Sequence, residues 1–123
     1  MNKPALILFA HGARDPEWAN PMRRVQAAVR ERAPSLRVEL AFLEFMSPTL
    51  ADAARALVAE GCTAVTVVPM FIAQGGHLKN DVPVLMDALR AEHPGVRFSL
   101  SPPVGETEAI VQAMAAYAID LAF

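Results

Sequence analysis

The stretch that decides the fold is residues 5–10, Ala5-Leu6-Ile7-Leu8-Phe9-Ala10, followed at once by His11-Gly12-Ala13-Arg14-Asp15-Pro16. A run of six apolar residues containing Ile, Leu and Phe is typical of a strand that is buried on both faces. The run ends in a polar, glycine-containing turn and a helix start, which together form the first unit of an α/β fold. Ligands of such folds bind at the carboxyl ends of the strands, so His11 lies where a ligand is expected.

Strands and helices then alternate along the chain. Further strands are predicted over residues 36–43, 64–71 and 96–100, and the alternating pattern of the second one places it near a sheet edge. Helices are predicted from about residue 16 to 33, from 48 to 61, from 82 to 92, and after a cap at either Thr107 or Gly105. With right-handed crossovers, this order predicts one α/β domain over residues 1–123. Its four-stranded parallel sheet has the order 2-1-3-4, with helices on both faces.

Two helix starts are specified in more detail. Asp15 is expected to cap the first helix, with Pro16 at its first position. A long polar loop is expected over residues 72–81, with Asp81 capping the third helix and Pro83 in its first turn. The last helix carries an apolar set, which is Ile110, Val111, Met114, Tyr117 and Leu121.

Composition excludes several classes of protein. The chain has 123 residues, 54% of them hydrophobic, and a net charge of −2, so a packed domain without affinity for nucleic acid or anionic membranes is expected. One cysteine excludes an internal disulfide and suits a reducing cytoplasm, and the first apolar run is too short for a signal peptide or a membrane span. Neither a G-x-G-x-x-G pattern nor a Walker pattern occurs, which argues against nucleotide binding.

Three side chains that can bind metal ions follow the first three strands. His11 ends the first strand, Glu44 ends the second, and His77 lies in the loop after the third. In the order 2-1-3 these strands are neighbours about 4.8 Å apart, so the three side chains are expected at one sheet edge. Two imidazoles and a carboxylate suit cobalt, iron, nickel or zinc, and three protein ligands leave positions open for a substrate.

Several motifs in series resemble the class II tetrapyrrole chelatases, and the small CbiX-type sirohydrochlorin chelatases match best. The motifs are Phe9-Ala10-His11-Gly12-Ala13-Arg14-Asp15-Pro16 with Trp18, Phe42-Leu43-Glu44 with Pro48, Val68-Pro69-Met70-Phe71, Gly75-Gly76-His77, and Asp81-Val82-Pro83. The resemblance covers most of the chain. It implies that His11 and His77 bind the metal and take part in removing the pyrrole protons, and that Glu44 joins them.

The resemblance also implies a reaction and an assembly. The reaction is insertion of Co²⁺, or alternatively Fe²⁺ or Ni²⁺, into sirohydrochlorin in cobalamin or sirohaem biosynthesis, with no organic cofactor. Larger relatives contain two such domains in one chain, so a single domain implies a homodimer. Apolar loop residues at that interface are expected to be Phe45, Met46, Ile72 and Leu78.

Four residues are candidates for binding the substrate. Arg14 and Lys79 flank the histidines and can pair with the carboxylates of sirohydrochlorin, although solvated loop charges are the alternative. Gly75-Gly76 either lets the backbone approach a flat macrocycle or shapes a turn. Phe71 is a candidate for the floor of the cleft or for the core.

Two other functions stay open. A phosphatase of the histidine phosphatase type has Arg-His-Gly after its first strand, and here Ala10 takes the arginine position, so the phosphate ligand is missing. A non-catalytic carrier of metal or tetrapyrrole would use the same residues as a chelatase. Turnover of sirohydrochlorin distinguishes an enzyme from such a carrier.

Overall fold

A four-stranded parallel sheet forms the centre of the computed structural model, which describes residues 3–123 apart from the side chain of His77. The strands are β1 (Pro4–Ala10), β2 (Arg37–Phe42), β3 (Ala64–Pro69) and β4 (Arg97–Leu100). Their order is β2-β1-β3-β4, and all neighbouring strands are parallel. The predicted fold class, the strand order and the edge position of the second strand are confirmed.

Helices lie on both faces of the sheet. On one face α2 (Leu50–Ala59) and α3 (Gly76–Glu92) enclose the larger core with alternate side chains of the strands, among them Ile7, Phe9 and Val67. On the other face α1 (Asn20–Arg32) packs over Leu8 and Leu40. The fourth helix, α4 (Glu108–Ala122), follows a short 3₁₀ helix, Val104–Glu106.

The first helical segment begins at the expected residue, Pro16, and α2 begins at Leu50, two residues after its expected start at residue 48. The Asp15 carboxylate accepts a hydrogen bond of 2.9 Å from the backbone N–H of Glu17, where a 3₁₀ helix, Pro16–Ala19, leads into α1. The Thr49 hydroxyl accepts one of 3.2 Å from the N–H of Asp52 in the first turn of α2. Both caps satisfy backbone donors that have no partner inside the helix.

The predicted start of the third helix is wrong. Helix α3 begins at Gly76, with Gly75 as its N-cap, so His77 and Lys79 lie in the helix and not in a loop. Asp81 does not cap the helix and Pro83 is inside it. Leu78, Val82 and Met86 are all buried. Their four-residue spacing marks one apolar face of a helix, and this face begins before Asp81.

The last helix lies apart from the sheet that the other three helices cover. No residue of α4 is buried, and its main neighbour is the 3₁₀ helix Val104–Glu106. An apolar pattern shows that a helix needs a partner, but it does not identify the partner. In the part of the chain that the structure describes, no helix has the length and apolarity needed to cross a membrane.

Candidate functional site

The pairing of β1 with β2 continues beyond both strands and joins two of the predicted site residues. The N–H of Leu43 donates to the carbonyl of Ala10, and the N–H of Glu44 donates to the carbonyl of His11, each at 2.9 Å. His11 and Glu44 therefore lie side by side at the carboxyl edge of the sheet. His11 is half-buried and Glu44 is exposed, so the carboxylate is open to solvent at this edge.

Gly12 permits this close approach. Its φ is +97°, a conformation that side chains other than glycine rarely adopt. A Cβ atom on residue 12 would also overlap the carbonyl oxygen of Glu44. That carbonyl accepts a 2.8 Å hydrogen bond from the N–H of Met46 and is fixed in place. A glycine directly after His11 is thus required by the turn that brings His11 and Glu44 together.

Phe71 supports the His11 ring. The two ring centroids are 4.5 Å apart, with 41° between the ring planes. Phe71 is 2% exposed and also contacts Phe9, at 6.0 Å between centroids, so it belongs to the core. The core interpretation of Phe71 is confirmed, and its role as the floor of a cleft stays a prediction. The contact packs one side of the imidazole against the core at the open edge.

Phe45 is a further candidate for the site, and the sequence analysis placed it only at a subunit interface. Its side chain is 59% exposed, and the Arg14 guanidinium lies 5.0 Å from the ring centroid in a cation–π contact. Its φ of +65° is unusual for an aromatic residue. Such strain is often found at ligand-binding sites. The signal in the sequence was a large aromatic residue directly after Glu44.

The first turn of α3 carries the remaining candidates. Gly75 and Gly76 are exposed, and a Cβ atom on either one would meet no other atom within 4 Å. The backbone of His77 lies in this turn, while its side chain lies outside the described part of the protein. Lys79, two residues further along, is exposed. Among the side chains that are described, no group of three His, Cys, Asp or Glu residues is arranged to hold a metal ion.

The sequence matches the family described as CbiX over residues 5–120. A sirohydrochlorin cobaltochelatase of Sulfurisphaera tokodaii is 31% identical over 107 residues, which cover 87% of this chain and 84% of the relative. A sirohydrochlorin ferrochelatase of Bacillus subtilis is 30% identical, over 91% of this chain and 43% of its own length. The chain spans 62% of the cobaltochelatase of Methanococcus aeolicus and 34% of that of Priestia megaterium.

Solved structures share the fold. The crystal structure of a CbiX protein of Marinobacter aquaeolei VT8 is 30% identical and superposes with a TM-score of 0.84 over 95% of both chains. The superposition leaves about 6 of the 123 residues unaligned. Helix α4 has 15 residues, so most of this helix has a counterpart in the solved structure. The sirohydrochlorin chelatase SirB of Bacillus subtilis in complex with cobalt has a TM-score of 0.81 over 96% of this chain and 50% of its own. With its sequence and fold both matching, the chain belongs to the CbiX family.

Proposed function

We propose that this chain is a lyase-type metal chelatase that inserts a divalent metal ion into sirohydrochlorin. The observation that carries the proposal is the pairing of His11 with Glu44 at the open carboxyl edge of the sheet. Relatives over most of this chain are named sirohydrochlorin cobaltochelatase or sirohydrochlorin ferrochelatase. An imidazole and a carboxylate side by side fit the two tasks of the reaction, which are holding a divalent ion and accepting protons.

In the proposed mechanism, His11, His77 and Glu44 hold the incoming ion. Insertion forms bonds from the metal to the ring nitrogens and expels two N–H protons, and neutral imidazoles can accept protons near neutral pH. Phe71 holds the His11 ring from the core side, so the ring can deliver the ion without reorienting. Glu44 adds negative charge, which favours binding of the dication at the site over its hydrated state in solution.

Two exposed surfaces on either side of His11 are proposed to bind the macrocycle. The Phe45 ring offers an apolar face for a flat ligand, and the Arg14 guanidinium beside it can pair with a substrate carboxylate. At Gly75 the backbone has φ −74°, which any residue adopts, and no neighbouring atom excludes a side chain from Gly75 or Gly76. Gly75 is also the N-cap of α3, a position where glycine is common, and the open space at both glycines leaves room for a flat ligand to approach the backbone. Lys79 supplies a second cation.

Cobalt is the proposed physiological metal, with iron and nickel as alternatives, because the relatives carry both cobaltochelatase and ferrochelatase names. No organic cofactor takes part in the proposed reaction. A reducing cytoplasm is the proposed compartment, since Cys62 is a free, buried thiol. The proposed partners are sirohydrochlorin and a second copy of the chain, with neither nucleic acid nor a membrane.

A homodimer is proposed because a tetrapyrrole needs walls on both sides and one sheet edge provides a floor and one wall. Of the expected interface residues, Phe45 and Ile72 are exposed, at 59% and 69%. Leu78 is buried in the core of its own chain, because the earlier start of α3 turns it inward. Met46 packs partly against the smaller core. Phe45 and Ile72 therefore stay as candidates at this edge, and Leu78 does not.

The test is a comparison of metal insertion by the purified chain with cobalt, iron and nickel side by side. Conversion of several sirohydrochlorin molecules per site is the result expected of an enzyme. Binding of one equivalent without turnover would instead identify a carrier and overturn the proposed activity. Hydrolysis of a generic phosphate ester, with no metal insertion, would point to the phosphatase alternative.

A further inference from the structure

The segment that follows β4 continues the hydrogen bonding of the sheet beyond the last strand. The N–H of Arg97 donates to the carbonyl of Thr63, and the N–H of Ser101 donates to that of Val67 with the same offset along the chain. Hydrogen bonds between parallel strands are evenly spaced, so the next donor is expected two residues further on. That residue is Pro103, which has no N–H. The ladder therefore omits one bond after Ser101.

The ladder resumes at Gly105, in the short 3₁₀ helix Val104–Glu106. The N–H of Gly105 donates to the carbonyl of Phe71 at 3.0 Å, again with the same offset. Among the described residues, Gly105 alone makes a backbone hydrogen bond to the segment 71–74, which connects β3 to the N-cap of α3. Gly105 therefore holds the connection between the third strand and the helix that contains His77.

The contact between Gly105 and this connection is as close as two backbones can come. A Cβ atom on residue 105 would overlap the backbone of Ile72, including its carbonyl oxygen. The Ile72 side chain is 69% exposed, so the backbone of Ile72, and not its side chain, packs against the 3₁₀ helix. The glycines with a positive φ are Gly12 and Gly61. At Gly105 it is therefore the close approach, and not the backbone conformation, that requires glycine.

The 3₁₀ helix that contains Gly105 is restrained at both ends. Pro103, directly before it, is buried, and its ring fixes φ, which is −56°. The hydroxyl of Thr107, directly after it, donates to the carbonyl of Val104 at 2.8 Å. Because both ends are restrained, Gly105 presents a fixed surface to the connection after β3.

Phe71 extends this restraint to the proposed metal site. Its carbonyl accepts the hydrogen bond from Gly105, and its ring contacts the His11 imidazole with 4.5 Å between centroids. Phe71 is 2% exposed, and a close-packed core leaves its ring little freedom to compensate for a movement of its backbone. A displacement of the backbone at Phe71 and Ile72 would therefore displace the surface against which His11 packs.

We propose that Gly105 is a positioning residue of the chelatase site and acts through Phe71 and Ile72. It holds the connection after β3 in one place, which sets the position of the His11 ring relative to the first turn of α3, where the backbone of His77 lies. Two histidines can bind one ion only at a defined separation, and a misplacement of about 1 Å can cost ~100-fold in rate. The inference rests on the proposed function and adds to it a residue outside the metal and substrate surfaces.

A comparison of Gly105→Ala with Gly95→Ala tests the proposal. Gly95 lies just before β4, whereas Gly105 lies beyond its other end. A Cβ atom on residue 95 would meet no other atom within 4 Å, and neither glycine has a positive φ. The two variants therefore differ in the overlap with the Ile72 backbone and not in backbone strain.

The histidine ring signals of the metal-free protein give the first readout. They are recorded in ¹H–¹³C spectra above the pH range in which imidazoles titrate. The ring current of Phe71 shifts the signals of His11, and Phe71→Leu sets the full size of this shift. Gly105→Ala should move the His11 signals and leave those of His93, at the other end of α3, unchanged. In Gly95→Ala the His11 signals should stay at their wild-type positions.

The kinetics of metal insertion give the second readout. The kcat of Gly105→Ala, calculated per folded chain from circular dichroism, should fall by about 10–100-fold relative to Gly95→Ala. KM for sirohydrochlorin should change much less, because the proposed macrocycle surface at Arg14 and Phe45 lies in the connections after β1 and β2.

A second variant decides the question if Gly105→Ala does not fold. Thr107→Val removes the hydroxyl that restrains the end of the 3₁₀ helix and adds no bulk. The His11 signals should shift or broaden in this variant, and kcat should fall. Unchanged signals and an unchanged kcat in folded Thr107→Val would overturn the proposal.

Failure of this inference and failure of the proposed function are distinguishable. If folded Gly105→Ala has wild-type His11 signals, or the same kcat as Gly95→Ala, the positioning role is wrong while the chelatase activity of the wild type stands. If the wild type inserts no metal, the proposed function is wrong, and the His11 signals still decide whether Gly105 positions this ring.

Discussion

A comparison of Gly12→Ala with Gly61→Ala separates the effect of backbone strain from disruption of the site. Gly12 has φ +97°, and its Cβ would overlap the Glu44 carbonyl. Gly61 has a similar φ of +91°, but a Cβ there would meet no other atom within 4 Å. Gly61 also lies before β3, at the opposite end of the sheet from His11. The substitution Gly61→Ala is therefore a matched control that carries the strain without the overlap.

The expected magnitudes follow from that difference. A side chain at such a φ costs about 1–3 kcal/mol in either variant. Overlap with a fixed backbone atom adds about 1–3 kcal/mol for Gly12→Ala alone. For a domain of this size, 1 kcal/mol corresponds to about 4 °C in Tm. Gly12→Ala should therefore melt about 4–12 °C below Gly61→Ala.

Activity should separate the two variants more strongly than stability does. To relieve the overlap, the turn must shift His11 relative to Glu44, and a shift of about 1 Å in a reacting group can cost ~100-fold in rate. Metal insertion is measured at a temperature where both variants are folded, as judged by circular dichroism. Equal melting temperatures and equal rates for Gly12→Ala and Gly61→Ala would refute the reasoning.

Three further substitutions test the substrate surfaces and one ion pair. Gly76→Ala, at the first residue of α3, should raise KM for sirohydrochlorin without lowering Tm, while Gly95→Ala, also in open space, should change neither; an unchanged KM would remove Gly76 from the site. Phe45→Ala should raise KM with little loss of stability, because the ring is 59% exposed, and a large fall in Tm would assign the ring to the fold instead. The Arg55 guanidinium donates to the Glu92 carboxylate at 2.6 Å and lowers the pKa of Glu92 below its ordinary 4.5. The stabilisation by this pair is present above pH 4.5 and is lost as the pH falls through the lowered pKa of Glu92. In Arg55→Gln, Tm should therefore decrease less between neutral and acid pH than in wild type. An identical dependence of Tm on pH in both proteins would count against the pair.

The sheet was predictable because its signals are local. The apolar run over residues 5–10 is typical of a strand buried on both faces, and the caps at Asp15 and Thr49 are set by neighbouring residues. The start of α3 was missed because Gly75-Gly76 is typical of a loop and Pro83 is typical of the first turn of a helix. The buried spacing from Leu78 to Val82 was the better signal.

The site was predictable in position and less so in detail. Strand order alone places His11 beside Glu44, and the structure agrees. The stacking of His11 on Phe71 and the cation–π contact of Arg14 depend on side-chain orientations, which no sequence periodicity specifies. The exposure of α4 was also beyond reach, because the apolar pattern of a helix does not identify the surface on which the helix packs.

Metal insertion by His11→Ala and His77→Ala tests the central claim most directly. Each purified variant is compared with wild type at saturating cobalt and sirohydrochlorin, with circular dichroism as the control for folding. His11 lies in an open turn at the sheet edge, so its loss should leave the fold intact. Both variants are predicted to lose most of the activity while remaining folded. Near wild-type turnover in either folded variant would contradict the assignment of that histidine to the chelatase site.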